Sequence, residues 1–244
     1  MEYFGKDLVK DLKTCRSFLK DSIRKTIDFR ATDQNLGIPA PPTERPCPAD
    51  AERFDLPAPE AFTSIPEFDL KQAIAGRRSR RRYLDTALSL EELAWLLWSS
   101  QGITGSVSHG HAFRTVPSAG CRHAFETYLA VFRVGGLKPG MYRYLPLSHQ
   151  LVLEFKDDLL PEKMITASLG QAYPGRSAVT FIWSCIPYRM EWRYGMAAHK
   201  VIALDAGHVC QNLYLACEAV GCGTCAIAAY DQEEMDELLC LDGQ

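Results

Sequence analysis

Between Arg77 and Arg82 the chain carries five arginines in six residues, broken only by Ser79. Guanidinium is permanently charged and shaped for bidentate contact with phosphate or carboxylate. A cluster this dense is costly unless something negative sits in it, although charge runs also occur as solvated turns. The whole chain has a net charge of -3, so the run is a local positive spot on a slightly acidic protein. That favours one small anionic ligand over a nucleic acid, which meets a broadly basic face.

Nine cysteines form a second chemical inventory, five of them late: Cys210, Cys217, Cys222, Cys225 and Cys240. Cys222 and Cys225 make a C-x-x-C, which zinc or redox chemistry would use. No second C-x-x-C and no histidine pair at ligand spacing accompanies it. Small buried thiols are the alternative reading, and no metal site is expected. His208, Gln211 and Asn212 share a helical stretch with Cys210. They are either site groups or polar residues satisfied in a helix–helix contact.

The elements that must position these groups follow from pattern. At 244 residues with 47% apolar and 23% charged content, the chain fits one large domain, or a domain plus an extension. No apolar run reaches spanning length, and Met1 to Lys25 lacks a signal-peptide core, so no membrane role and a cytoplasmic location are expected. Residues 1–30 suggest a helical extension. Residues 39–66 hold eight of the fourteen prolines and must be an extended arm laid on a surface or a neighbouring subunit. The expected division is therefore 1–66, extension and arm, and 67–244, the compact domain.

Within that domain Asp69 to Ala75 reads as a short helix. Ser89 with Glu92 is a capping box opening a helix through Trp98. Gly102 to Gly110 reads as a flexible polar loop, and Pro117 to Gly120 as a turn into a short helix. Thr127 to Val134 reads as a strand, and Met141 to Leu145 with Gln150 to Phe155 as a hairpin-like pair. Asp157 to Leu169 reads as a helix. Ala178 to Ile186 is nearly continuously apolar, as in a central strand buried on both faces. Ala197 to Val220 is a long helix, apolar nearly all round, to be buried in the fold or between subunits. Thr224 to Ala229 reads as a short strand, and Asp231 caps a last helix through Leu239. The order is α+β. Neither a G-x-G-x-x-G nor a Walker A motif is present.

Several of these motifs, in this order and spacing, resemble the FMN-dependent nitroreductases. Arg77-Arg78-Ser79-Arg80-Arg81-Arg82-Tyr83 resembles the family's R-R-S-x-R-x-[FY] signature. Pro117-Ser118-Ala119-Gly120 resembles its P-S-[AS]-G turn. The stretch from Asp205 to Asp231 resembles its long central helix and the strand that approaches the flavin. The arm, G-I-P-A-P-P-T-E-R-P and then F-D-L-P, resembles that of stand-alone members of the SagB-type, azoline oxidase-like branch.

The resemblance implies a central mixed or antiparallel sheet flanked by helices, a long buried central helix, and a homodimer with FMN at the interface. It implies that Arg77, Ser79 and Arg81 meet the phosphate, with Arg78 as backbone support and with Arg80 and Arg82 pointing elsewhere, dispensable. Pro117, Ser118, Ala119 and Gly120, of one subunit or the other, would line the ring with Ile227, Ala228 and Ala229, a backbone N–H at Ala228 approaching flavin N5. Gln171 matches a position that meets the pyrimidine edge. Where azoline oxidases carry a catalytic Lys-Tyr pair, Arg193-Tyr194 stands here. Arginine cannot act as a base near neutral pH, which leaves Tyr194 as the candidate catalytic residue.

The implied activity is two-electron ping-pong transfer through flavin N5 to or from a small-molecule substrate. NAD(P)H is the donor if the protein is a reductase; the substrate itself donates if it is an oxidase. A flavin- or phosphate-ligand-binding protein of the same fold without turnover is the alternative, motivated by the expected absence of the last family strand after Leu241-Asp242-Gly243-Gln244. The outer wall of the site would be Gly102 to His111 and Pro187 to Ala198.

Overall fold

The computed structural model describes residues 6–108 and 110–243. Residues 1–5, His109 of the expected loop, and Gln244 lie outside them. The first helix, α1 (Lys6–Phe18), and two 3₁₀ turns (Asp21–Thr26 and Phe29–Ala31) form the N-terminal extension. The proline-rich arm follows, and its one strand, β1 (Arg53–Asp55), joins the main sheet by pairing antiparallel with β6 (Gln150–Phe155). Next come α2 (Leu70–Gly76) and α3 (Leu90–Gln101). Asp69 caps the first, accepting from Gln72 N–H at 2.9 Å. Ser89 and Glu92 close the expected capping box on the second, at 3.1 Å and 2.7 Å.

Between Gly102 and Arg114 the expected flexible loop is instead a hairpin, β2 (Ile103–Ser108) with β3 (His111–Arg114). The β-branched Ile103, Thr104 and Val107 favour extension, and Gly110, at φ 72°, takes the left-handed corner that a tight reversal needs. Serine and glycine content hid that pattern.

The five-stranded sheet runs β1-β6-β5-β4-β7, with β4 (Phe125–Val131), β5 (Gly140–Leu145) and β7 (Val179–Cys185), and its strands pair antiparallel throughout. Alternation along β4 divides the core. Leu129 and Val131 pack with Leu93, Ala94 and Leu97 of α3 on one face. Tyr128 and Ala130 pack on the other with α4 (Leu160–Ala167) and α7 (Gln232–Leu238), through Met164 and Met235.

Two expectations about strands are corrected. β7 is not central. It pairs only with β4 and ends the sheet, half-buried throughout, and its free edge borders a cleft of about 1340 Å³. It is apolar on both faces because Phe181 packs on the α3 side while Ile182 packs on the α4 side. Apolar runs report burial of faces, not position in the sheet. Thr224 to Ala229 is extended but unladdered, with a single parallel bridge from Thr224 to Ser79.

After α5 (Tyr188–Tyr194) the longest helix, α6 (Ala198–Ala219), crosses α3, where Leu213, Ala216 and Cys217 meet Leu96. It is not enclosed all round. Leu204, Gly207, His208 and Gln211 form an exposed stripe, with Leu204 57% exposed. Among the described residues no helix is long and apolar enough to cross a membrane.

Candidate functional site

The arginine run begins where α2 ends. Arg77 is its C-cap, and Arg78 folds back so that Nη1 donates to the carbonyls of Ala75 and Arg77 at 3.0 and 2.8 Å. The chain then runs beside residues 224–226: Arg80 N–H donates to Thr224 O at 2.9 Å. One phenol of α6 stitches both segments. Tyr214 Oη lies 2.9 Å from Ser79 Oγ and accepts from Ala226 N–H at 2.8 Å, and the Arg77 guanidinium lies 5.2 Å from its ring centre.

A second phenol does the same for Arg81, whose guanidinium lies 5.9 Å from the Tyr173 ring centre and is held above its ordinary pKa first by a hydrogen bond with that side chain. Tyr173 donates to Gln171 Oε1 at 2.7 Å, and Gln171 Nε2 donates to Ala229 O at 2.7 Å and Ser168 O at 2.9 Å. Gln171 thus anchors the segment bearing Ile227, Ala228 and Ala229. Of these, Ile227 lines the cleft while Ala228 and Ala229 are exposed.

Arg80 is turned away and ion-paired with Glu218 of α6; Gly223 makes room, since a Cβ there would stand 2.7 Å from Arg80 Cδ. Arg82 is exposed. Among the described residues neither Arg77 nor Arg81 has a carboxylate partner. Residues 77–81 and 224–229 therefore form one locus at the C-terminal half of α6.

The turn at Pro117–Gly120 docks on the other half. Ala119 N–H faces Asp205 Oδ1 at 3.4 Å, and Ser118 Oγ accepts from His123 N–H at 2.9 Å. Asp205 is buried, which raises its carboxyl pKa, and its Oδ2 meets no partner among the described residues. Gly120, Cys121 and His123 all have left-handed φ, of 60°, 55° and 49°, a strain that concentrates at functional sites. Arg193 and Tyr194, at the end of α5, lie over Gly120: a Cβ there would come 2.8 Å from Arg193 Cδ and 2.9 Å from Tyr194 Oη. Pro117 is exposed. Asp205 and Tyr214 are nine residues apart on α6, about 13 Å along the axis, so a single chain keeps the two loci apart.

Asn212 serves the helix–helix contact, donating to Ser99 O at 2.9 Å and to Thr115 O at 3.3 Å, while His208 and Gln211 face outward. The C-x-x-C is divided. Cys222 packs with Cys217 and Leu96, and Cys225 turns to Tyr173. Tyr214, Tyr173 and Asp205 belong to the candidate site through their contacts, and sequence reading missed them. The available signal was the spacing of Tyr214 and Glu218, i and i+4 on one helix face, both of which meet the arginine run.

His123 carries a testable pH dependence. It is 4% exposed, Nε2 bonds Ala112 O at 2.8 Å, and burial, helped by Arg114, Arg189 and Arg122, lowers its pKa to about 3. The unfolded chain binds this proton near pH 6.5 and the folded chain does not, so stability falls as pH drops below 6.5, at about 1.4 kcal/mol per unit. Between pH 7 and pH 5 that is about 2 kcal/mol. Urea unfolding should show a shallower acid loss, by about that amount, in His123→Asn, asparagine being tolerant of left-handed φ. Equal losses in both proteins would contradict the assignment.

An antiparallel sheet flanked by helices, with an arginine run docked beside a long helix, is an α+β fold with a built cationic locus. The nitroreductase family profile matches residues 74–244, and the chain belongs to that family, whose members generally bind flavin. It is 31% identical over 175 residues to MJ1384 of Methanocaldococcus jannaschii, named as a nitroreductase, covering 72% of this chain and 86% of that one. It is 26% identical over 227 residues to the trifolitoxin-processing protein TfxB of Rhizobium leguminosarum bv. trifolii, covering 89% of this chain and 60% of TfxB. A solved Ralstonia eutropha structure, also named as a nitroreductase, superposes with a TM-score of 0.64 at 25% identity, covering 84% of this chain and 90% of that one.

Proposed function

We propose that the chain is an FMN-dependent oxidoreductase that works as a homodimer on a small-molecule substrate. The carrying observation is the donor set at the C-terminal half of α6: two guanidiniums without carboxylate partners, Arg77 and Arg81, flank the Ser79 hydroxyl. That set fits a terminal phosphate dianion, each charge-assisted bond favouring it by a factor of roughly ten to a hundred. Tyr214 and Tyr173 hold the donors in register with residues 224–229, where backbone amides would face the ring. Bound there, FMN would supply two-electron transfer, with NAD(P)H as donor in the reductase direction.

The exposed stripe on α6 and the free edge of β7 support pairing with a second copy. A second copy could bring a Pro117–Gly120 turn to each phosphate locus. Tyr194, half-buried over Gly120, is our candidate for contact with substrate. Membership of the SagB-type branch rests on the resemblance of the arm. Arg193 beside Tyr194 argues against a lysine-type base.

The test is direct. Purified protein should be yellow, or take up added FMN stoichiometrically, and the bound flavin should be reduced by NADH, by NADPH or by an organic substrate. A colourless chain that refuses FMN would sink the proposal. Yellow protein that no donor reduces would leave only the ligand-binding reading of the fold.

A further inference from the structure

Four arginines among the described residues are buried to 8% exposure or less: Arg114, Arg122, Arg143 and Arg189. Three lie in the field of an acid. Arg143 and Arg189 pair with Glu126, and Arg114 feels the charges of Glu126 and Glu44. Arg122 has no such relief. Its Nε donates to Arg189 O at 2.9 Å, its Nη1 to the Gly110 carbonyl, and its plane stacks on Trp192 at 4.6 Å. Its Nη2 is buried and meets no partner among the described residues. The charges acting on it are those of Arg193 and Arg189, both of its own sign, with the Tyr194 phenol the remaining ionisable neighbour. A buried guanidinium with a spare N–H and only like charges around it is destabilising unless an anion completes it.

Arg193 extends the cluster toward solvent. It is half-buried, its Nη1 donates, among the described residues, to the neutral Gln34 Oε1 at 3.2 Å, and its guanidinium lies 5.6 Å from the Tyr194 ring centre. Its stem crosses Gly120, and His111 Nδ1 lies 3.3 Å from Gly120 O. The arm closes the far side: Gln34 N–H donates to Trp192 O at 2.9 Å, and Ala40 packs against Gly110. This locus sits on the Asp205 half of α6, apart from the Arg77–Arg82 run, which docks on Tyr214 and Glu218.

We infer that Arg122 and Arg193 form a second anion site, and that it receives the acidic group, carboxylate or phosphate, of the substrate that meets the Gly120 turn. Arg122 supplies a fixed, preorganised N–H pair held by two carbonyls and an indole. Arg193, tethered by one neutral bond, swings onto the anion from the open side. The site would select acidic substrates over neutral ones of the same shape, because neutral ligands leave both charges unpaired. This deepens the oxidoreductase reading and rests on it only in calling the anion a substrate.

Calorimetric titration with benzoate, phenyl phosphate and the neutral benzamide tests it, on FMN-loaded protein. At least one anion should bind roughly ten- to a hundredfold more tightly than benzamide, and the ranking of the two anions tells carboxylate from phosphate. Arg193→Gln should remove most of that preference while leaving benzamide unchanged, and Arg193→Lys, which keeps the charge, should restore a large part. Equal affinity for anion and amide, failure of both anions to bind, or a preference that survives Arg193→Gln would overturn the inference. Loss of FMN from Arg193→Gln would also overturn it, since the arginines would then hold the cofactor. If wild-type protein takes up no FMN, the flavin reading fails, and the same titrations on flavin-free protein still decide the anion site.

Discussion

Glu126→Ala should lower the unfolding free energy by about 3–5 kcal/mol, the largest loss expected of any single side chain here. Glu126 stands on β4 at 3% exposure and takes Arg189 Nη2 at 2.5 Å, Arg143 Nη1 at 3.6 Å and the Arg45 backbone N–H at 2.8 Å. Removing it leaves the buried Arg189 guanidinium without an acid, takes one of the two carboxylates that meet Arg143, and strands one amide. Arg143 keeps Glu154 Oε1 at 2.6 Å; Arg189 keeps only the His123 carbonyl at 3.3 Å. Since domains are stable by about 5–15 kcal/mol, chemical denaturation should show the midpoint falling by about a fifth or more, or no folded protein at all. Glu126→Gln, which keeps the shape and an acceptor, separates charge loss from cavity formation and should fall between the two. A loss under about 1 kcal/mol in Glu126→Ala would put the pair among the weak surface kind.

The same carboxylate fastens the arm. Arg45 is an arm residue, and its neighbours are held by the same charged side chains: Arg143 Nη1 donates to Arg45 O at 2.8 Å and Arg114 Nη2 to Thr43 O at 2.9 Å. Glu44 accepts from Leu147 N–H at 2.9 Å. A proline-rich segment has few N–H groups to pair with the sheet. Its carbonyls are therefore met by buried arginines instead of strand ladders, with β1 as the short exception. The Glu126→Ala variant should accordingly show faster proteolysis within residues 40–50 than wild type under native conditions.

What the sequence disclosed was whatever is decided locally. The caps at Ser89 and Asp231 and the β5–β6 hairpin depend on residues a few positions apart, and each formed as read. Membership of α6 in one helix was legible from its periodicity; which of its faces stays open was not, because that depends on what α3 and α5 leave uncovered. β7 was misplaced for a related reason. Its pattern records apolar neighbours on both faces, and only pairing with β4, about fifty residues earlier in the chain, decides that it ends the sheet.

The arginine run was the clearest chemical signal, yet its internal division was visible only as a resemblance. Arg80 is committed to Glu218, 138 residues away in sequence, and Tyr214 is tied to Ser79 across 135. No spacing rule reaches that far. Arg122 stayed hidden for another reason. A lone arginine after a turn looks solvated until the fold shows it 1% exposed and without an acid.

Arg81→Ala should lose bound FMN with the fold intact. The alternation along the run separates this outcome from a general effect of charge. Arg78 spends its guanidinium on the Ala75 and Arg77 carbonyls, and Arg80 on Glu218, leaving Arg77 and Arg81 as the guanidiniums stacked on tyrosines and open to an anion. Removing one charge-assisted phosphate contact should weaken FMN about ten- to a hundredfold, and Arg77→Ala/Arg81→Ala together should abolish detectable binding. The weakened variants should depend less steeply on added salt than wild type, because one fewer charge–charge contact is left to be screened. Arg82→Ala should retain FMN. So should Arg80→Ala, because the backbone bond from residue 80 to Thr224 O survives the substitution; its cost should appear as a small drop in thermal stability, the pair being partly exposed. Equilibrium dialysis of FMN against the four variants reads the pattern, with circular dichroism as the check on folding. Full flavin occupancy in Arg81→Ala would show that the run is not the phosphate site. Equal losses in Arg80→Ala and Arg81→Ala would mean that net charge, and not the alternation imposed by Tyr214, Tyr173 and Glu218, holds the cofactor.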